Sequence, residues 1–224
     1  MAEIYLKHNL KNLNKDIPNK IDIAFQKETH ISSEFIGERK IKSSEVKRVS
    51  LFPSIKNKGL ISVESNLELS HALSLERDDD VLQYRTQAIK IYLSTKHFII
   101  PDFIVKKINS YEVHEVKANI KRLSTNQLSR FELAADILNS FSIKFSLFDY
   151  HDLLNQDDAL LLNISYQRAN QQNITKNQID KIHPLLLNRN FKNPEELYDF
   201  FIKNGFTINL ADYFIFYKNI LGIK

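Results

Sequence analysis

Asp102, Glu115 and Lys117 are residues whose types and spacing could do chemistry. Twelve residues separate the acid of Pro101-Asp102 from the acid of Glu115-Val116-Lys117. Two adjacent carboxylates offer hard oxygen ligands to a small divalent cation such as Mg²⁺. A lysine beside them can orient or activate a water and offset charge developing on a phosphate. The three side chains meet only if the backbone folds back between them. Ile99 to Val105 is apolar over a strand's length, Tyr111 to Lys117 alternates, and Lys106 to Ser110 between them is turn-rich, which predicts an antiparallel hairpin. The two-residue period puts Val113, Glu115 and Lys117 on one face and His114 and Val116 on the other. Asp102, at the start of the first strand, can then face Glu115. The same residues also fit a solvated sheet edge with a weak salt bridge.

The chain has 224 residues, 43% of them apolar and 26% charged, enough for one large domain or two small ones with a buried core. With no cysteine there is no disulfide framework, thiol nucleophile or thiolate zinc site. Four glycines, at 37, 59, 205 and 222, allow no P-loop or dinucleotide fingerprint. The seven histidines show no metal-ligand spacing, and His114 is expected to be structural. There is no long apolar run, so neither a signal peptide nor a membrane span is expected, and the expected location is cytoplasmic. The net charge of +4 is concentrated at the front: residues 1–60 hold twelve Lys or Arg against seven Asp or Glu. This basic arm could contact phosphates or simply be solvated.

The elements around the hairpin follow from local signals. Pro18 is expected at a turn. Lys47 to Ser65 predicts two strands joined at Asn57-Lys58-Gly59. Ser65 followed by Glu68 is a capping box opening a helix, so Glu68 either bonds that helix's first turn or aims at the sheet as a third acid, with Glu64 in reserve. Val81 to Leu93 predicts one or two strands, Asn126 to Ser140 a helix, and Ile143 to Phe148 a strand closing the sheet. The order suits an α/β domain, a mixed sheet flanked by helices, over residues 1–150. Residues 151–224 predict a helical second unit, with a helix over Lys176 to Leu187 interrupted by Pro184. Asn193-Pro194 opens another helix, and an aromatic segment runs from Leu210 to Leu221. The last two could form a helix-turn-helix or a protein-contact surface.

Pro-Asp followed by Glu-x-Lys resembles the signature of the PD-(D/E)xK nuclease superfamily. In order, Ser65-Asn66-Leu67-Glu68-Leu69, Val81 to Gln87, Pro101-Asp102-Phe103 and Glu115-Val116-Lys117 look like the TnsA family, the endonuclease subunit of heteromeric transposases. The resemblance covers about residues 49–148. It implies a restriction-endonuclease-like fold with a winged-helix-like C-terminal domain, and a catalytic set of Glu68, Asp102, Glu115 and Lys117. Glu115 holds a position that is a different polar residue in some TnsA proteins. Gln87 matches a glutamine near the site, although Ala88 follows it where relatives often have proline. By the same resemblance, Asp102, Glu115 and the Val116 carbonyl would hold Mg²⁺, with Glu68 acting through water or a second ion and Mn²⁺ able to substitute. The implied activity is cleavage of the 5′ strands at transposon ends in double-stranded DNA. The implied partners are a recombinase subunit (TnsB-like) and an ATPase regulator (TnsC-like). The alternatives are a stand-alone nuclease of defence or repair and a catalytically silent DNA-binding assembly module.

Overall fold

A computed structural model describes residues 9–27 and 50–223, so half of the basic arm expected over residues 1–60 lies outside the described residues. The chain divides into two compact units, Met1–Leu153 and Leu154–Lys224.

The first unit begins with helix α1, described over 9–13, and α2, Ile17–Gln26. Pro18 lies in the first turn of α2, not at a turn between elements. A helix's first N–H groups have no internal partner, so a proline there loses nothing. Strands β1 (Ser50–Ser54) and β2 (Gly59–Val63) pair as an antiparallel hairpin, in which Lys58 rather than Gly59 takes the left-handed position at φ 54°. Helix α3 (Asn66–Arg77) follows, then β3 (Val81–Thr86) and the short pair β4 (Ile91–Tyr92) and β5 (Phe98–Ile99). Strands β6 (Phe103–Lys107) and β7 (Tyr111–Val116) form the expected antiparallel hairpin. After a 3-10 turn, Ile120–Arg122, come α4 (Thr125–Asn139) and β8 (Lys144–Phe148).

The main sheet runs β3-β6-β7-β8, with the first two pairings antiparallel and β7–β8 parallel. A parallel neighbour requires a crossover, and α4 supplies it. This is the mixed sheet flanked by helices that the element order predicts. On one face, Ile104 and Val113 share a core with Ile17 and Ile21 of α2 and with Phe131, Ala134, Ile137 and Leu138 of α4. On the other, Phe103 and His114 meet His71 of α3. Glu115 is two residues from Val113, so its side chain leaves the sheet on the α4 side. Arg85 of β3 donates to the carbonyls of Ala24 and Lys27, both at 3.2 Å, satisfying acceptors that the end of α2 leaves open.

The second unit has four helices, α5 (Gln156–Ala169), α6 (Lys176–Leu186), α7 (Pro194–Lys203) and α8 (Ile208–Lys218), and no strand among the described residues. Helix α6 runs through Pro184 to Leu186. The unit's interior is aromatic and aliphatic, with Tyr166, Leu197, Phe201, Ile215 and Phe216 buried. Among the described residues, no helix is long and apolar enough to cross a membrane.

Candidate active site

The β6–β7 register pairs Phe103 with His114, which leaves Asp102 and Glu115 as the next opposed residues. Backbone hydrogen bonds lock them there. The Asp102 N–H donates to Glu115 Oε2 at 3.3 Å, and the Val116 N–H donates to Asp102 Oδ2 at 2.8 Å. The Asp102 carbonyl accepts from the N–H of Gln87 at 3.0 Å. Gln87 is in the left-handed region at φ 49°, a conformation that costs a non-glycine residue energy. It is buried, and the chain turns on it from β3 back toward Asp102.

Lys117 completes the group. Its N–H donates to the Phe148 carbonyl at 2.9 Å, continuing the parallel pairing one residue past β7. Its Nζ lies 2.5 Å from Glu115 Oε1, 3.6 Å from Asp102 Oδ2 and 3.0 Å from the Val116 carbonyl oxygen. Three oxygens therefore converge on one ammonium group. The Lys117 Nζ also lies 5.8 Å above the Phe131 ring of α4.

The electrostatics follow from crowding like charges in a half-dry place. Glu115 is 7% exposed; burial, then the neighbouring Asp102, push its carboxyl up to about 7 against the opposing pull of Lys117. Burial also raises Asp102, with Lys117 and the Val116 N–H opposing. Burial alone would lower the Lys117 ammonium, but Glu115 and Asp102 outweigh it and the net shift is upward. Each shift has the sign expected of acids that repel one another and of a cation held between them.

Glu68 reaches the same pocket from the other side of the sheet, at the start of α3. Ser65 caps the helix by accepting from the Glu68 N–H at 3.1 Å. The Glu68 carboxylate turns back to accept from the Glu64 N–H at 2.9 Å and the Ser65 hydroxyl at 3.2 Å. It thus acts as a cap, although it reaches Glu64 and not the backbone N–H of the capping residue itself. It also stands close enough to Asp102 to feel its charge. Burial first, then Asp102 and Glu64, raise its carboxyl to about 7 against the hydrogen bonds from the Glu64 N–H and Ser65. Capping and pocket lining are compatible because a helix N-terminus directs both its N–H groups and its first side chains toward the same solvent-facing end.

These residues line a pocket of about 540 Å³ together with Glu64, Phe98, Ile99, Ile100, Gln127, Arg130 and Phe131. Its floor carries the acids and Lys117. Its walls come from β5 and the first turns of α4, where Arg130 donates to the Phe98 carbonyl at 3.4 Å and the Lys90 ammonium lies 5.5 Å from the Phe98 ring. The sequence reading missed the wall residues. Gln127, Arg130 and Phe131 lie three to four residues apart at the start of α4, a helical spacing that would have put them on one face.

Among the described residues, no group of three or more histidines, aspartates or glutamates stands at metal-ligand spacing. The donor set that does converge, the Asp102 and Glu115 carboxylates with the Val116 carbonyl, is all oxygen, and the Lys117 ammonium marks where these atoms favour positive charge. That chemistry fits a hard divalent cation, with Glu68 set further back against its own helix end. Compared with protein-family models and with curated proteins, the sequence matches none of them.

Proposed function

We propose that the first unit is a metal-dependent nuclease that hydrolyses a DNA phosphodiester at the pocket floor. The observation that carries this reading is the convergence of the Asp102, Glu115 and Val116 oxygens on the Lys117 ammonium. Asp102, Glu115 and the Val116 carbonyl would hold Mg²⁺, which when bound polarises a phosphodiester and makes a nearby water more acidic. The protein's own groups do the rest. Lys117, kept protonated by its two acids, supplies a fixed positive charge for the non-bridging oxygens as charge grows on the phosphorus. Glu68, with a carboxyl near 7, can take or return a proton at the pocket's far edge. Arg130 and the 42% exposed Phe98 ring offer a phosphate contact and a stacking surface to the flanking nucleotides.

The order and spacing of the four motifs support the finer reading, a restriction-endonuclease-like, TnsA-like subunit that cuts the 5′ strands at transposon ends. In that reading the four-helix unit serves as the winged-helix-like contact for DNA or for a recombinase partner. The test of the chemistry is direct. Asp102→Ala and Lys117→Ala are each expected to lower Mg²⁺-dependent nicking of a supercoiled plasmid by about a hundredfold or more, with circular dichroism and DNA retention little changed. Wild-type rates in either variant would remove the assignment.

A further inference from the structure

Behind the site, on the opposite face of the sheet, two buried histidines and a partly exposed glutamate form a polar chain. His114 of β7 is 3% exposed and His71 of α3 is 3% exposed; His71 Nε2 lies 3.0 Å from His114 Nδ1. His114 Nε2 lies 2.8 Å from Glu112 Oε2, and the other Glu112 oxygen lies 3.8 Å from the Lys107 ammonium. Phe103 and Phe148 pack around both rings or against His71, with centroids 4.5 to 5.0 Å away. His71 Nδ1 is buried and has no hydrogen-bond partner.

One proton pattern satisfies these contacts. Ionised Glu112 can only accept, so His114 carries its proton on Nε2 and presents a bare Nδ1. That lone pair must receive the proton of His71 Nε2, which leaves His71 Nδ1 as an unprotonated lone pair facing hydrocarbon. Burial lowers both rings, His71 to about 3, the direction this pattern requires. The positions matter. His71 is one helical turn from Glu68 and His114 is the residue before Glu115. Apolar packing such as that of Ala72 and Leu73 has no preferred direction and permits small slides or rotations. A hydrogen bond between buried rings does not. Helix α3 has two buried polar ties to the sheet: Glu76 near its end with the Tyr84 hydroxyl of β3 at 2.8 Å, and His71 near its middle with His114 beside the site.

We propose that His71 and His114 are positioning residues: the Glu112–His114–His71 chain fixes the start of α3, and with it Glu68, relative to the strand that carries Glu115. The inference rests on the nuclease reading for the role of Glu68, but not for the geometry. In the full chain, ¹⁵N spectra of the imidazoles are expected to show both rings protonated at Nε2 and bare at Nδ1. The ¹³C resonance of the Glu68 carboxyl, compared at one pH, reads its placement. His71→Phe keeps the packing and removes the donor, and is expected to move that resonance; His71→Gln keeps an N–H donor and is expected to restore it. In Mg²⁺-dependent nicking, His71→Phe is expected to lose about tenfold or more in kcat with KM for DNA within about twofold, and His71→Gln to recover most of it. Equal effects of Phe and Gln, an unmoved Glu68 resonance in His71→Phe, or the opposite tautomers would overturn the proposal. Should both His71 variants fail to fold, Glu112→Ala, at the chain's outer end, is expected to shift the Glu68 resonance from its wild-type position, and no shift there overturns the proposal equally. If the wild type nicks DNA under no metal or partner condition, the nuclease reading fails, and the tautomers and the Glu68 resonance alone decide the positioning role.

Discussion

Burial and neighbouring acids raise two carboxyls of the pocket, Glu68 and Glu115, from 4.5 to about 7, which makes the folded state less stable as pH rises. At pH values below 4.5 these groups are protonated in both folded and unfolded chains. Between 4.5 and about 7 the unfolded chain gives up its protons first, so the folded state loses stability as pH rises, and above 7 it carries buried charges that repel. Glu68→Gln removes one of these charges while keeping the side chain's shape and an oxygen acceptor. In EDTA at pH 8 this variant is expected to melt higher than the wild type, by about 2–4 °C per kcal/mol relieved, and the gain should vanish near pH 5. A lower melting temperature at pH 8 would contradict the repulsion. A divalent cation should act in the same window. Millimolar Mg²⁺ or Mn²⁺ is expected to raise the melting temperature at pH 8 and to lose that effect by pH 5.5, because the ligands must first release their protons. Asp102→Asn should abolish the response, which differential scanning fluorimetry measures.

Helix α3 matters to the site at its first turn. Ser65 holds the Glu68 N–H, and its own hydroxyl donates to the Glu68 carboxylate, so one residue serves both helix and pocket. Ser65→Ala is expected to cost about 1 kcal/mol of stability, as the loss of a helix cap does. Thermal or urea denaturation checks it, and an unchanged midpoint would mean the cap contributes nothing. In the second unit, the Tyr198 hydroxyl of α7 donates at 2.7 Å to Asp212 of α8, whose side chain is wholly buried. Burial raises both groups, Tyr198 to about 12, with their mutual hydrogen bond raising Tyr198 further and opposing the rise of Asp212. Tyr198→Phe keeps the ring and removes the donor, and is expected to destabilise this unit by about 1–3 kcal/mol, the cost of a buried acceptor losing its donor. Calorimetry of the full chain would show whether the loss is confined to one transition.

For the whole chain, net charge is a weaker guide than where the cations sit. The total of +4 is modest, yet Arg130 and Lys117 line the acidic pocket itself. If DNA enters there, Arg130→Ala should weaken binding across sequences and reduce the slope of log affinity against log salt by about one, the signature of one lost phosphate contact. An unchanged slope would place the DNA elsewhere. The chain divides into an α/β unit and a helical unit, and the proposed function makes a prediction for the whole chain. A transposition subunit is expected to be nearly inert by itself and to cut once its recombinase partner is added. Robust cutting by the isolated chain would favour a stand-alone nuclease.

Much of this was legible in the sequence because it is local. Alternation over Tyr111 to Lys117 and the turn-rich Lys106 to Ser110 require a hairpin, and the spacing from Asp102 to Glu115 then makes the two acids face each other. Ser65 and Glu68, three residues apart, specify a capped helix start. A strand face shared by Glu112 and His114, and a helix turn shared by Glu68 and His71, were also readable as local patterns. That the two patterns meet was not, because His71 and His114 lie 43 residues apart and no periodicity relates them. Nor could the sequence show that Lys117 would lie over the Phe131 ring of α4, or how dry its two acids would be. The direction of a pKa shift depends on burial and on charges brought close by folding, and these exist only once α3, α4 and the sheet have packed together.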